Sequence, residues 1–228
     1  TSSFLLPNAA IIDPRMTLTL PPHITAATAM DALTHATEAF TCMAKNPLSD
    51  AYATAAVKKV SQSLLSVMDN PKDSDGRLEL AQASTMAGIA FSNSMVGLVH
   101  SLGHATGAIC HLPHGLCMSL YLPYVLEFNL ESIREPLGEL LLYLEGPEVY
   151  SATPASRRAE ASISAIRKLR DALYKRCELP RTLKETGKVL ENQLESIAKL
   201  ALDDGSIMFN PREVSHEDAM AVLRRAWA

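Results

Sequence analysis

From His23 onward, apolar residues recur at helical spacing, and the runs are separated by proline, glycine and small polar residues. Thr25 to Lys45 is alanine-rich, contains neither proline nor glycine, and stops before Pro47. Ser49 or Asp50 is placed to cap a second helix ending near Asp69, and Asn70-Pro71 with Ser74-Asp75-Gly76 forms the next loop. Residues 77–110 read as a long apolar helix with a break near Gly97 or Gly103. A turn over His111-Leu112-Pro113-His114-Gly115 leads into another apolar helix up to Asn129. The stretches 131–145, 155–176, 181–203 and 215–227 predict amphipathic helices with charged outer faces. Ser215-His216-Glu217-Asp218 resembles a capping box with Asp in place of Glu. The first 22 residues differ. Prolines at 7, 14, 21 and 22 prevent a helix, and the alternation from Met16 to Leu20 fits short extended strands that cannot make a sheet alone. The pattern predicts an all-α body over 23–228 preceded by extended strands over 1–22.

Charge changes this picture in one place. Between Glu79 and Glu127 there is no Asp, Glu, Lys or Arg, while residues 128–228 carry 31 of the 46 charged side chains. Such a neutral stretch is long enough for a membrane hairpin. It also holds Ser92, Asn93, Ser94, Ser101 and four histidines, which are costly in lipid, so helices buried inside a helical domain are the better reading. A net charge of −4 supplies no basic face for nucleic acid. With 228 residues, 47% of them hydrophobic, the chain can build a real core, and disorder is excluded. Cys42, Cys110, Cys117 and Cys177 show no C-x-x-C pairing and suit packing thiols of a cytoplasmic protein.

Four of the seven histidines lie between residues 100 and 114, inside the neutral stretch. His100 and His104 are four apart on one predicted helix, as are Asp31 and His35 on another, so each pair shares a helix face. An isolated Asp/His pair at that spacing is commonly a surface interaction, and an isolated buried histidine commonly bonds a backbone carbonyl. Four imidazoles in a neutral segment need compensation for burial, which hydrogen bonds or a divalent cation can give. Spacing alone leaves both readings open.

The run Leu20-Pro-Pro-His-Ile-Thr-Ala-Ala-Thr-Ala-Met-Asp-Ala-Leu-Thr-His35-Ala-Thr-Glu-Ala-Phe40 resembles a signature of the iron-containing (group III) alcohol dehydrogenases. A second signature is matched by Gly97-Leu-Val-His100-Ser-Leu-Gly-His104-Ala-Thr-Gly107, continuing to Leu112-Pro-His114-Gly115. Asn46-Pro-Leu-Ser-Asp50, Ala90-Phe-Ser-Asn93 and Asn210-Pro-Arg212 match further positions, so the resemblance runs from Asp13 to the C-terminus. Ala29 and Met118 depart from it, standing where the family often has Gly and Asn. Met118 is the departure expected to alter the pocket wall or the substrate preference.

The resemblance implies the helical, metal-binding half of the dehydroquinate synthase-like fold. It implies Fe2+ on Asp31, His35, His100 and His114, a ligand set that also suits Zn2+, Ni2+, Co2+ or Mn2+. His104 is then the further active-site histidine beside the substrate and the nicotinamide of NAD or NADP. The implied substrate is a small alcohol or aldehyde, and the implied assembly a homodimer. Family members carry an additional α/β domain with a glycine-rich phosphate loop. No such loop, and no G-x-G-x-x-G, occurs here, so residues 1–22 are expected to complete a nucleotide-binding domain absent from this chain, which alone would be inactive. Two alternatives keep part of this reading: a zinc enzyme of the glycerol dehydrogenase or dehydroquinate synthase type, and a truncated protein that binds metal or dimerises without catalysis.

Overall fold

The computed structural model describes residues 7–228, which form nine α-helices and several 3-10 turns, with no strand among the described residues. The helices are α1 (Pro22–Thr41), α2 (Pro47–Asp69), α3 (Ser74–Ser94), α4 (Leu98–Cys110), α5 (His114–Glu145), α6 (Pro147–Ala152), α7 (Arg158–Cys177), α8 (Leu194–Leu202) and α9 (His216–Trp227). Leu5 and Leu6, read as extended, lie outside the described residues. Further along, the expectation of a strand fails. Asp13 accepts from the amide of Arg15, and Pro14–Thr17 closes into a 3-10 turn against α3.

α1 is the axis of the fold, packed against α2, α3 and α5. Proline at its first turn costs no hydrogen bond, and its many alanines allow close approach on several sides. Fourteen of its 20 residues are buried. The next helix is capped by Asn46, three positions before Ser49, the earlier of the two expected caps. The Asn46 side chain accepts from the Ser49 amide while Ser49 Oγ answers the Asn46 amide. The long helix over 77–110 breaks at Met95–Gly97, where Met95 takes a φ of 98°, outside the ordinary L-residue regions.

α5 runs unbroken through residues 129–131, where two helices were expected, and through Pro123 and Pro136. Pro123 offers no N–H to the Ser119 carbonyl four residues back. The buried Arg170 guanidinium of α7 reaches the Ser119 and Leu120 carbonyls instead, at 3.4 and 3.2 Å. Pro136 leaves the carbonyl of Ser132, an exposed residue, open to solvent. Residues 181–203 also differ from expectation: two 3-10 turns and a left-handed Gly187 (φ 65°) precede the short α8. α4 crosses α5 and α8, and a hydrogen bond of 2.6 Å between Thr106 and the buried Tyr121 hydroxyl ties α4 to α5. Among the described residues, no helix is long and apolar enough to cross a membrane.

Candidate metal centre

Three helices meet where the two histidine-bearing motifs come together. Asp31 and His35 project from α1, His100 from the first turn of α4, and His114 is the first residue of α5. One donor atom from each of the four lies within 4.8 Å of all the others. Asp31 Oδ1 is 3.2 Å from His114 Nε2 and 3.7 Å from His35 Nδ1. The His35 and His100 ring centres are 4.4 Å apart, and Phe91 stacks on the outer face of His35 at 4.3 Å.

Close helix contact makes this convergence possible. A Cβ on Gly115 would sit 2.4 Å from the Ala27 carbonyl oxygen, so only glycine lets the start of α5, and with it His114, lie on α1. At Gly103 the facing atom is the terminal methyl of Met118, 1.9 Å from where a Cβ would stand. Met118 is fully buried at this crossing. The departure at 118 therefore bears on the packing of α5 against α4, and the pocket-wall role expected for it gives way to a core role.

The electrostatics favour a cation. Burial pushes the His35 imidazole down to about 4, helped by nearby His100, so His35 is a neutral ring with a free lone pair near neutral pH. Burial works to raise Asp31, but the facing His114 imidazole and the potential of His35 and His100 win, holding its carboxyl below the usual range. The same contact with Asp31 raises His114 against the effect of burial. His100 is 2% exposed, and its Nε2 has no hydrogen-bond partner, while Asp31 Oδ1 has the 3.2 Å contact with His114 Nε2. Buried polar atoms are rarely left without partners. An unpartnered lone pair and an anionic carboxylate, with ligand atoms of His35 and His114 gathered within 4.8 Å, fit a bound divalent ion. The set of one carboxylate and three imidazoles suits Fe2+ and its first-row neighbours.

His104 lies beside this cluster, its ring 5.3 Å from His114 and 5.7 Å from His100, and its side chain is 42% exposed. Its Nδ1 pairs at 2.8 Å with Asp204 Oδ2, from the segment after α8, rather than with a backbone carbonyl. The remaining histidines stand apart. His111 ends α4 in a left-handed conformation (φ 53°), and His216 opens α9 near Glu195. Ser215 and Asp218 form the capping box expected there. Burial pushes the Cys117 thiol up to about 12 and raises Cys42 and Cys110, which suits packing and not nucleophilic chemistry.

Three further residues bear on the site. Glu38, 5% exposed, bonds His100 Nδ1 at 2.5 Å. Its signal was in the sequence, because positions 31, 35 and 38 fall on one helix face. Asp204 and Asn129 gave none, their partners being 100 and 81 residues away. Asn210 of the Asn-Pro-Arg segment exchanges a reciprocal pair of amide bonds with Asn129, both 2.9 Å.

The model of the Fe-containing alcohol dehydrogenase family, C-terminal, matches residues 25–227. The chain belongs to that family. It is 32% identical over 222 residues to the NADPH-dependent butanol dehydrogenase of Clostridium saccharobutylicum, covering 96% of this chain and 55% of that protein. With the NAD-dependent methanol dehydrogenase of Bacillus methanolicus it shares 34% over 222 residues, 97% of this chain and 56% of the other. A crystal structure of a 1,3-propanediol oxidoreductase superposes with a TM-score of 0.88 at 32% identity, over 94% of this chain and 55% of that one. The chain thus spans about half the length of these relatives. These matches favour the alcohol dehydrogenase reading over the glycerol dehydrogenase and dehydroquinate synthase alternatives.

Proposed function

We propose that this chain is the metal-binding half of an alcohol dehydrogenase, with Asp31, His35, His100 and His114 as the ligands of Fe2+ or a similar divalent ion. The observation that carries the reading is the convergence of His100, whose buried Nε2 lacks a partner, with the Asp31 carboxylate and two further imidazoles within 4.8 Å. A bound ion supplies Lewis acidity toward an alcohol or carbonyl oxygen, and NAD or NADP supplies the hydride acceptor or donor. The chain's own residues prepare the place. Asp31 offsets part of the ion's charge, and His35 is wedged between Phe91 and His100 so that its ring cannot turn away. The exposed side of His114 and His104 gives the substrate its way in. His104, steered by Asp204, holds or passes a proton at that mouth. Small alcohols or aldehydes are the substrate class. Among the relatives, one is named for NADPH and one for NAD at similar identity to this chain.

The test is metal content. Protein loaded with Fe2+ under anaerobic conditions, or with Zn2+, retains about one ion per chain after desalting, and Asp31→Ala and His100→Ala each lose it. Undiminished metal in the double variant overturns the assignment. His104→Ala keeps its metal; loss there would mean that ligand and pocket histidines are interchanged.

A further inference from the structure

α4 carries His100 in its first turn, yet it begins without a cap of its own: Gly97, the residue before it, has no side chain to offer. Two remote side chains fill the gap. Glu38 Oε1 accepts from the Val99 amide at 2.8 Å, and Asn210 Oδ1 accepts from the Leu98 amide at 3.3 Å. A Cβ on residue 97 would stand 3.1 Å from that Asn210 oxygen and 3.3 Å from the Glu38 oxygen, so glycine leaves room for both. The other oxygen of Glu38 faces His100 Nδ1 at 2.5 Å, inside a contact where both residues are almost fully buried.

We infer that Glu38 is a positioning residue: it caps the helix bearing His100 and fixes that imidazole in the tautomer whose Nε2 lone pair faces the metal point. A carboxylate is an acceptor only, so Nδ1 must supply the hydrogen of the 2.5 Å contact. A neutral imidazole has one N–H, which leaves Nε2 bare. Nε2 is the atom of His100 found buried and without a partner. One residue thereby sets helix start, ring orientation and proton position, and it does so from α1, the helix that also carries Asp31 and His35. Outer partners of this kind commonly change metal affinity by about 10- to 100-fold. The inference rests on the metal reading above, and the experiment separates the two.

Glu38→Gln is the informative variant. Its amide oxygen can keep the Val99 bond, but its NH2 group then faces His100 Nδ1 and demands a lone pair there, moving the ring proton to Nε2. Co2+ binding is measured by visible absorption in competition with a chelator. The expected result is an affinity for Glu38→Gln lower than wild type by about 100-fold, and lower than that of Glu38→Ala, where the ring is free to choose its tautomer. The reverse order of the two variants, or equal binding by wild type and Glu38→Gln, overturns the role of Glu38 while leaving the metal site standing. A wild-type chain that takes up no Co2+ overturns the metal site and this inference with it. Nitrogen NMR of the metal-free wild type gives a reading that needs no variant to fold. A proton on His100 Nδ1 is expected, and a proton on Nε2 refutes the inference.

Discussion

Residues 80–126 have no charged side chain, while residues 128–228 hold two thirds of all the charge, and the two regions use polarity in opposite ways. In the neutral region the buried polar groups tie one helix to another: Thr106 to Tyr121, His100 Nδ1 to Glu38, the Leu98 amide to Asn210. In the charged region, pairs such as Lys199 with Glu195 and Arg134 with Glu131 lie largely in solvent, where screening and side-chain entropy remove most of their worth. A polar group that the fold must desolvate is costly, so where it persists it either joins elements or serves chemistry. The contrast says where substitutions should hurt.

The largest effect is expected at Gly115. Gly115→Val drives a side chain into the Ala27 carbonyl, a backbone atom that cannot step aside, and should cost about 3 kcal/mol or more in urea unfolding. Gly103→Ala meets only the movable end of Met118 and should cost clearly less; equal losses would refute the distinction drawn between these two crossings. Next comes the ion itself. Zn2+ at about 100 times its dissociation constant should raise unfolding stability by about 2.7 kcal/mol in wild type and leave Asp31→Ala unchanged. A shift of equal size in both would place the binding elsewhere. Asn210→Ala orphans the buried Asn129 amide and the Leu98 N–H, for about 2 kcal/mol. At the bottom of the scale, Lys199→Ala should leave the melting temperature where it is. A drop as large as that of Asn210→Ala would erase the contrast between the regions.

Much of this was legible in the chain. The helical runs from Thr25 and toward Asp69 correspond to α1 and α2, though α2 is capped by Asn46 and not by Ser49 or Asp50, and the motifs around Asp31, His35, His100 and His114 name residues that the fold does gather. What escaped is non-local. Continuity of α5 through Pro123 depends on Arg170, 50 positions beyond Leu120, whose guanidinium serves the carbonyls beside the break. Asn129 read as a helix end because its amide competes for backbone bonds in isolation; in the fold that amide is engaged by Asn210. The segment 181–203 read as one helix because its apolar spacing is right, yet Gly187 turns left-handed and breaks it. Asp204 beside His104 could be found only from the folded chain.

The missing cap of α4 has a consequence for the order of assembly. The first two amides of this helix are completed by residues 61 positions earlier and 112 positions later. A helix so short and so dependent has little reason to form by itself, and the bonds that finish it close loops of high sequence separation, which form slowly. On a ribosome the imidazole of His100 could meet Glu38, made before it, long before its helix is fully capped, since Asn210 must first emerge and dock. The last piece of the nascent site to set is then the junction between α3 and α4, and its amides should exchange with deuterium through local openings, faster than those in the middle of α1 and α5.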